Sequence, residues 1–245
     1  MAPSQPGRPS SMLVLVNGLP GSGKSSVARR YADAHPPTLC LDVDVVRSLV
    51  GGWRDDPSGA SAVARRLALV MARTQLVEGA DVVVPQLVAR LEFVEGLAET
   101  ADRAGVRFLE ILLDVPRGVA LERFSARSQS SADPLDRLAA EHLAGMSSTA
   151  PDPADPRVDA GSAMPAGRLR AVGSDGGMVA AEPDLVGSAA PSPSDRWGTG
   201  MATYAGRLAD AVAARPGTVR IDASGPLDEV YSSFVDVLRA ARLSR

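Results

Sequence analysis

The chain has 245 residues, 45% of them hydrophobic and 22% charged, with a formal net charge of −3. That length suffices for one α/β domain carrying insertions, and the slightly acidic balance lacks the basic footprint of a duplex-binding protein, so nucleic acid is disfavoured as a partner. Cys40 is the single cysteine, which excludes an intrachain disulfide and fits a reducing cytosol, and no apolar run reaches the roughly 20 residues of a membrane span.

Residues 1–11, rich in Pro and Ser and without the apolar core of a secretion signal, read as a loose tail, so a cytoplasmic protein is expected. The run 12–16 (Met-Leu-Val-Leu-Val) reads as a strand buried on both faces, as in parallel sheets. Directly after it stands Gly18-Leu19-Pro20-Gly21-Ser22-Gly23-Lys24-Ser25, which fits the phosphate-loop spacing of Gly, four residues, Gly-Lys-Ser. Glycines there let backbone N–H groups approach phosphate oxygens, and the helix that follows points its positive end at the same anion. Gly18, Pro20, Gly21, Ser22, Gly23, Lys24, Ser25 and Ser26 are therefore the candidate ATP-binding segment, with Lys24 reaching the β- and γ-phosphates and the Ser25 hydroxyl a Mg²⁺ ligand.

That helix is expected to run to about His35, stopped by Pro36-Pro37, and 38–41 forms a second strand, completing one βαβ unit. A helix is expected from about Val45 to the Gly51-Gly52 break, and another over 58–78, with Val63, Leu67, Val70, Met71 and Val77 as its core positions. Strands follow at 81–84, 107–113 and 218–222, with helices at 91–104, after Pro116, from about 197 to 214, and over 226–243. Asp114, at the end of the fourth strand, reads as the cap of the Pro116 helix. Alternating β and α elements predict an α/β sandwich around a five-stranded parallel sheet, spanning 12–245 as one domain. Residues of about 130–196 interrupt it: a short helix is conceivable at 134–146, but 147–194 is dense in Pro, Ala, Gly, Ser and Asp and reads as a loosely docked insertion near a lid.

Asp42 and Asp44 lie just beyond the second strand, where open parallel sheets bind their ligands. Read as an extended strand end, their two-residue spacing puts both carboxylates on one side. Phosphoryl transfer to a hydroxyl needs one acid near Mg²⁺, here Asp42 with Ser25, and one that deprotonates the acceptor, here Asp44. Helix capping is the plainer role open to the same pair. Arg47 follows Asp44 by one helical turn and suits a polar or anionic acceptor. Arg123 and Arg127, four apart on one helix face, are candidates to close over the γ-phosphate. Gln86 and Arg90 lie at the mouth of the third strand and are candidate acceptor contacts, while Pro85 occupies a place where many phosphate-loop proteins carry a metal-assisting acid. His35 and His142 have no partner at metal or triad spacing and carry no expected role.

Asn17–Ser25, Leu41-Asp42-Val43-Asp44-Val45-Val46-Arg47 and Leu121–Arg127 together resemble the phosphate-loop kinases of the shikimate/gluconate-kinase-like group, which includes chloramphenicol phosphotransferases and the kinase domain of polynucleotide kinases. The resemblance covers about residues 12–128 and more loosely 197–243. It implies ATP with Mg²⁺ and γ-phosphate transfer to a hydroxyl of a small-molecule acceptor, with Lys24 and Ser25 on phosphates and metal, Asp44 as the base and Arg127 as the lid arginine. Asp44-Val45-Val46-Arg47 is also similar to the Asp-x-x-Arg of polynucleotide kinases, whose Arg holds a substrate phosphate. A 5′-hydroxyl polynucleotide kinase and a regulatory ATPase without an acceptor are the alternatives.

Overall fold

In the computed structural model, which describes residues 11–88, 91–132, 140, 143 and 193–244, the apolar run after Ser11 forms β1 (Met12–Gly18), buried along its whole length. The body of the 130–196 insertion, most of the 134–146 helix, His142, Arg90 and residues 1–10 lie outside the described residues. Along β1 the side chains alternate: Met12, Val14 and Val16 enter one apolar cluster, Leu13 and Leu15 the other. This is the period-two geometry of a strand covered on both faces.

The remaining strands are β2 (Leu39–Cys40), β3 (Val82–Pro85), β4 (Arg107–Asp114) and β5 (Val219–Asp222). They pair in the order β2-β3-β1-β4-β5, and every pairing is parallel. Helices α1 (Lys24–Ala34), α5 (Arg117–Ser130), α6 (Pro193–Ala213) and α7 (Leu227–Leu243) supply the cluster on one face, through Val27, Phe124, Met201, Leu208 and Phe234. On the other face lie α2 (Val43–Ser48), α3 (Pro57–Val77) and α4 (Leu91–Arg103), through Val46, Ala68, Phe93 and Leu97. The layers and the five-stranded parallel sheet are those expected from the alternation of elements. Because β1 sits between β3 and β4, the loop that leaves its carboxyl end opens into the crevice where the strand order reverses.

The buried face of α3 differs from expectation. Val70 and Val77 are 63% and 68% exposed and Leu67 and Met71 also face outward, whereas Ala60, Ala64, Ala68, Ala72 and Leu76 are buried. An alanine every fourth residue makes a low ridge that lets the helix axis approach its neighbours, and bulky side chains do not fit in that gap. Asp114 also departs from its expected role. The helix after Pro116 has no side-chain cap, and the exposed Asp114 carboxylate instead accepts from Arg220 (3.2 Å) across to β5. Cys40 is half-buried against the first cluster, and burial pushes its thiol pKa up.

Two polar networks hold the layers. At the amino end of β1, Asp81 accepts from the Met12 N–H (3.0 Å), the Tyr31 hydroxyl (2.9 Å) and Arg242. Tyr31 in turn stacks on His35 (4.1 Å between ring centres), which gives that histidine a packing role. Deeper in the sheet, Glu110 (6% exposed) accepts a two-pronged pair from Arg215 (2.7 and 2.8 Å) and further bonds from Thr218 (3.0 Å) and Asn17 (3.1 Å). Burial by itself pushes the Glu110 carboxyl pKa up, but these donors outweigh it and hold the group below the usual carboxylate range. A depressed carboxyl contributes stability that is complete above its unfolded pKa of about 4.3 and is lost as pH falls through the folded value. Arg215→Ala leaves the buried charge unpaired and is expected to cost about 3 kcal/mol in urea denaturation at pH 7. The loss should shrink on acidification, because the stranded carboxyl in the variant takes up a proton.

Candidate nucleotide and acceptor site

The chain turns sharply out of β1 because three glycines permit it. Gly21 adopts φ +83°, and a Cβ built there would lie 2.2 Å from the Ala120 carbonyl oxygen at the start of α5. Gly23, at φ +92°, is the residue before α1, so the helix opens with Lys24 and its free N–H groups face the loop. Ser22 N–H donates to the Leu19 carbonyl (3.1 Å), and the buried Ser22 hydroxyl has no partner within the protein. The Lys24 ammonium donates to the Leu19 carbonyl oxygen (2.8 Å), which lays the side chain across the loop rather than out to solvent.

Around Lys24 the charges meet. Burial and then the nearby Arg127 lower its pKa to about 8, while Asp44 and Asp42 act in the opposite direction. Asp42 is pushed above its ordinary range by burial and then by Asp44, partly offset by N–H groups of the following turn. The two acids are not side by side on an extended strand, as their spacing suggested. Asp42 is the cap of α2, its Oδ1 accepting from the Asp44 N–H (2.9 Å), and Asp44 belongs to the first helical turn. A short polar side chain before a helix turns back onto the backbone more readily than it extends a two-residue strand. The capping role is therefore real, and it leaves both carboxylates within electrostatic reach of Lys24.

Arg47, one turn along α2, places its NH2 3.2 Å from Asp44 Oδ1 and its NH1 3.5 Å from the Ser61 hydroxyl. Its guanidinium lies 5.9 Å from the centre of the buried Trp53 ring, and its Nε is buried with no acceptor. Gln86 follows β3, its N–H on the Val16 carbonyl (3.1 Å) and its Oε1 buried without a partner. Arg90 lies outside the described residues. Ser25 and Ser26 are exposed at the start of α1.

The arginine pair of α5 divides. Arg123 reaches sideways to the segment after β5, donating to the carbonyls of Ala223 (2.7 Å), Ser224 (2.7 Å) and Gly225 (3.1 Å). Arg127 lies 5.7 Å from the Phe124 ring centre and is the arginine whose charge Lys24 senses. Both line a cleft of about 310 Å³, with Gly21, Ser22, Gly23 and Ser26 on one side and Ala223, Gly225, Pro226, Leu227 and Val230 on the other. Sequence reasoning missed that second wall. Its signal was the position of 223–227 beyond the carboxyl end of a parallel strand, the edge at which the phosphate loop also emerges.

Mg²⁺ keeps several waters and needs only one or two carboxylates beside substrate phosphates, so a group of three ligands is not required of the protein. Ser25 and Asp42 fit that modest demand. Asp42 is partly buried beside a second carboxylate, an arrangement that a cation relieves. Among the described residues there is no cluster of three or more His, Cys, Asp or Glu that would form a closed metal cage, and no helix long and apolar enough to cross a membrane.

Fold and site together define a phosphate-loop nucleotide-binding sandwich. The chain belongs to the AAA-domain family, whose model matches residues 13–151. It is 37% identical over 134 residues to a UPF0200 protein of Aeropyrum pernix, a match spanning 50% of this chain and 68% of that one. Among solved structures it is similar to a gluconokinase from Sinorhizobium meliloti 1021 (17% identity, TM-score 0.49, 96% of this chain and 98% of that one). It is also similar to the Mycobacterium tuberculosis APS kinase CysC in complex with AMPPNP and APS (26% identity, TM-score 0.40, 51% and 74%).

Two outcomes are expected of this site. Gly21→Ala forces the loop off the Ala120 carbonyl, and titration calorimetry with an ATP analogue should show affinity weaker by about five- to 150-fold, as strain of about 1–3 kcal/mol implies. Because Lys24 titrates near pH 8 and phosphates favour its charged form, nucleotide binding at about pH 8.5 should take up protons. Calorimetry in buffers of different ionisation enthalpy reads that uptake, which should vanish in Lys24→Ala.

Proposed function

We propose that the protein is an ATP-dependent kinase that transfers the γ-phosphate to a hydroxyl of a small acceptor. The observation that carries the reading is the convergence on Lys24, at the phosphate loop, of Asp42, Asp44 and Arg127, groups from two further elements that each act on its charge. The cleft between the loop and 223–227 takes the nucleoside, its floor formed by glycines and its far wall pinned by Arg123. Phosphates lie along the loop N–H groups, with Lys24 released from the Leu19 carbonyl to follow the β- and γ-oxygens. Ser25 and Asp42 would hold Mg²⁺, which would supply charge neutralisation at those phosphates.

The acceptor enters beside α2. Its hydroxyl oxygen attacks the γ-phosphorus in line, the bond from that phosphorus to the β–γ bridging oxygen breaks, and ADP leaves. Asp44 takes the hydroxyl proton. Arg127, on α5, stabilises the negative charge that spreads over the transferring group. Arg47 and Gln86 are the acceptor contacts; the unsatisfied Arg47 Nε and Gln86 Oε1 supply one donor and one acceptor for polar groups of the substrate. The described surface gives no reason to prefer a polynucleotide, and the net charge of −3 disfavours one. The reading is of a cytoplasmic enzyme without a membrane partner.

An ATP-consumption screen over sugars, aminocyclitols, nucleosides and antibiotics, with Lys24→Ala as the blank, tests this directly. One acceptor class should stimulate turnover well above the basal hydrolysis rate. Slow hydrolysis indifferent to every acceptor would instead favour a regulatory ATPase. With the acceptor in hand, Asp44→Asn should bind the ATP analogue normally and lose about a hundredfold or more in kcat, the size of a general-base contribution. Full activity in that variant removes Asp44 as the base.

A further inference from the structure

Asn17, the last residue before the phosphate loop, is completely buried and uses every hydrogen-bonding position of its side-chain amide. Its Oδ1 accepts from two backbone N–H groups, that of Gly18 (2.9 Å) and that of Val88 (3.0 Å). Its Nδ2 donates to the Val88 carbonyl (3.0 Å) and to Glu110 Oε1 (3.1 Å). Val88 thus exchanges both of its backbone groups with one side chain. The segment 86–88, just past the end of β3, is held to β1 as if the strand pairing continued.

The orientation of the amide is not free to reverse. Its nitrogen faces the carboxylate of Glu110, and that carboxylate is locked from the far side by Arg215 and Thr218. Aspartate at position 17 would lose both donors and put a second negative charge against Glu110; an aliphatic residue would strand the Gly18 and Val88 N–H groups without an acceptor. What the amide joins is the first residue of the phosphate loop and the segment that carries Gln86, whose buried Oε1 is unpartnered.

We propose that Asn17 is a positioning residue that ties the acceptor-side segment 86–88 to the phosphate loop, so that phosphate in the loop orders that segment. The proposal rests on the nucleotide reading given above. A single oxygen shared by the Gly18 and Val88 N–H groups is the link: when the loop closes on phosphate and Gly18 is held, the amide is held, and with it both backbone groups of Val88. In this way the donor site and the acceptor wall take their spacing from one side chain.

Hydrogen exchange of the full chain, with and without AMPPNP and Mg²⁺, tests the link. In the wild type, nucleotide should slow exchange in the phosphate loop and, by about tenfold, at the Val88 amide, the effect of some 1.4 kcal/mol of added local stability. Asn17→Ala should still bind AMPPNP, as read by calorimetry, and protect the loop without protecting Val88. Asn17→Asp, which keeps the acceptor oxygen and loses the donors, should do the same in weaker form. A purely structural role would lower the melting temperature of the variants yet leave the nucleotide-dependent change at Val88 intact. If Asn17→Ala does not fold, the wild-type measurement decides alone. Loop protection with no change at Val88 overturns the link while leaving nucleotide binding standing. No binding of AMPPNP by the wild type overturns the nucleotide reading, and the link falls with it.

Discussion

The site depends on a close backbone contact: the phosphate loop at Gly21 lies against the first turn of α5, with the Ala120 carbonyl oxygen where a side chain would begin. A loop pressed this tightly onto a neighbouring helix is anchored at Gly21. That preorganisation is what makes a bent, side-chain-poor segment useful, since binding need not also bear the cost of ordering it. The same contact places α5 at the loop, and α5 carries both arginines of the cleft.

Around this contact the molecule divides its polar groups by role. Glu110 takes hydrogen bonds from Arg215 and Thr218 within the sheet layer, and Asn17 carries that network to the base of the loop. Groups on the other side of the loop are unfinished: the hydroxyl of Ser22, the Nε of Arg47 and the Oε1 of Gln86 are buried without partners. Buried polar atoms are usually satisfied; other exceptions lie on Ser128, Arg215 and Arg242, and those of Ser22, Arg47 and Gln86 are the ones the proposed nucleotide and acceptor would meet. Lys24 fits the same pattern, its ammonium resting on a carbonyl of its own loop with a pKa lowered by burial.

Arginine on α5 shows how one helix serves two purposes. Arg123 spends its guanidinium on three carbonyls of the 223–225 segment and so builds a wall, while Arg127, a turn further on, keeps its charge near Lys24. The i,i+4 spacing offers one or both of them to the γ-phosphate. The helix face is indeed shared, but the length of an arginine side chain allows two neighbours on that face to reach partners on different sides.

Local signals carried much of this. The apolar run before Gly18, the glycine and lysine spacing, and the alternation of strand and helix are patterns of short range, and each translates directly into a buried strand, a phosphate loop and a parallel sandwich. Other features were decided only when the layers came together. Whether alanines or the larger Leu, Val and Met of α3 face inward depends on how closely the helix packs. Whether Asp42 extends a strand or caps a helix depends on where β2 stops, and it stops at Cys40 although β3 runs on to Pro85. The far wall of the cleft, residues 223–227, lies two hundred positions from the loop it faces, and the partner of Asn17 is Glu110, 93 residues away. Periodicity and motif spacing report what a chain does to its neighbours in sequence; contacts across such separations exist only after the sheet has brought its carboxyl ends to one edge.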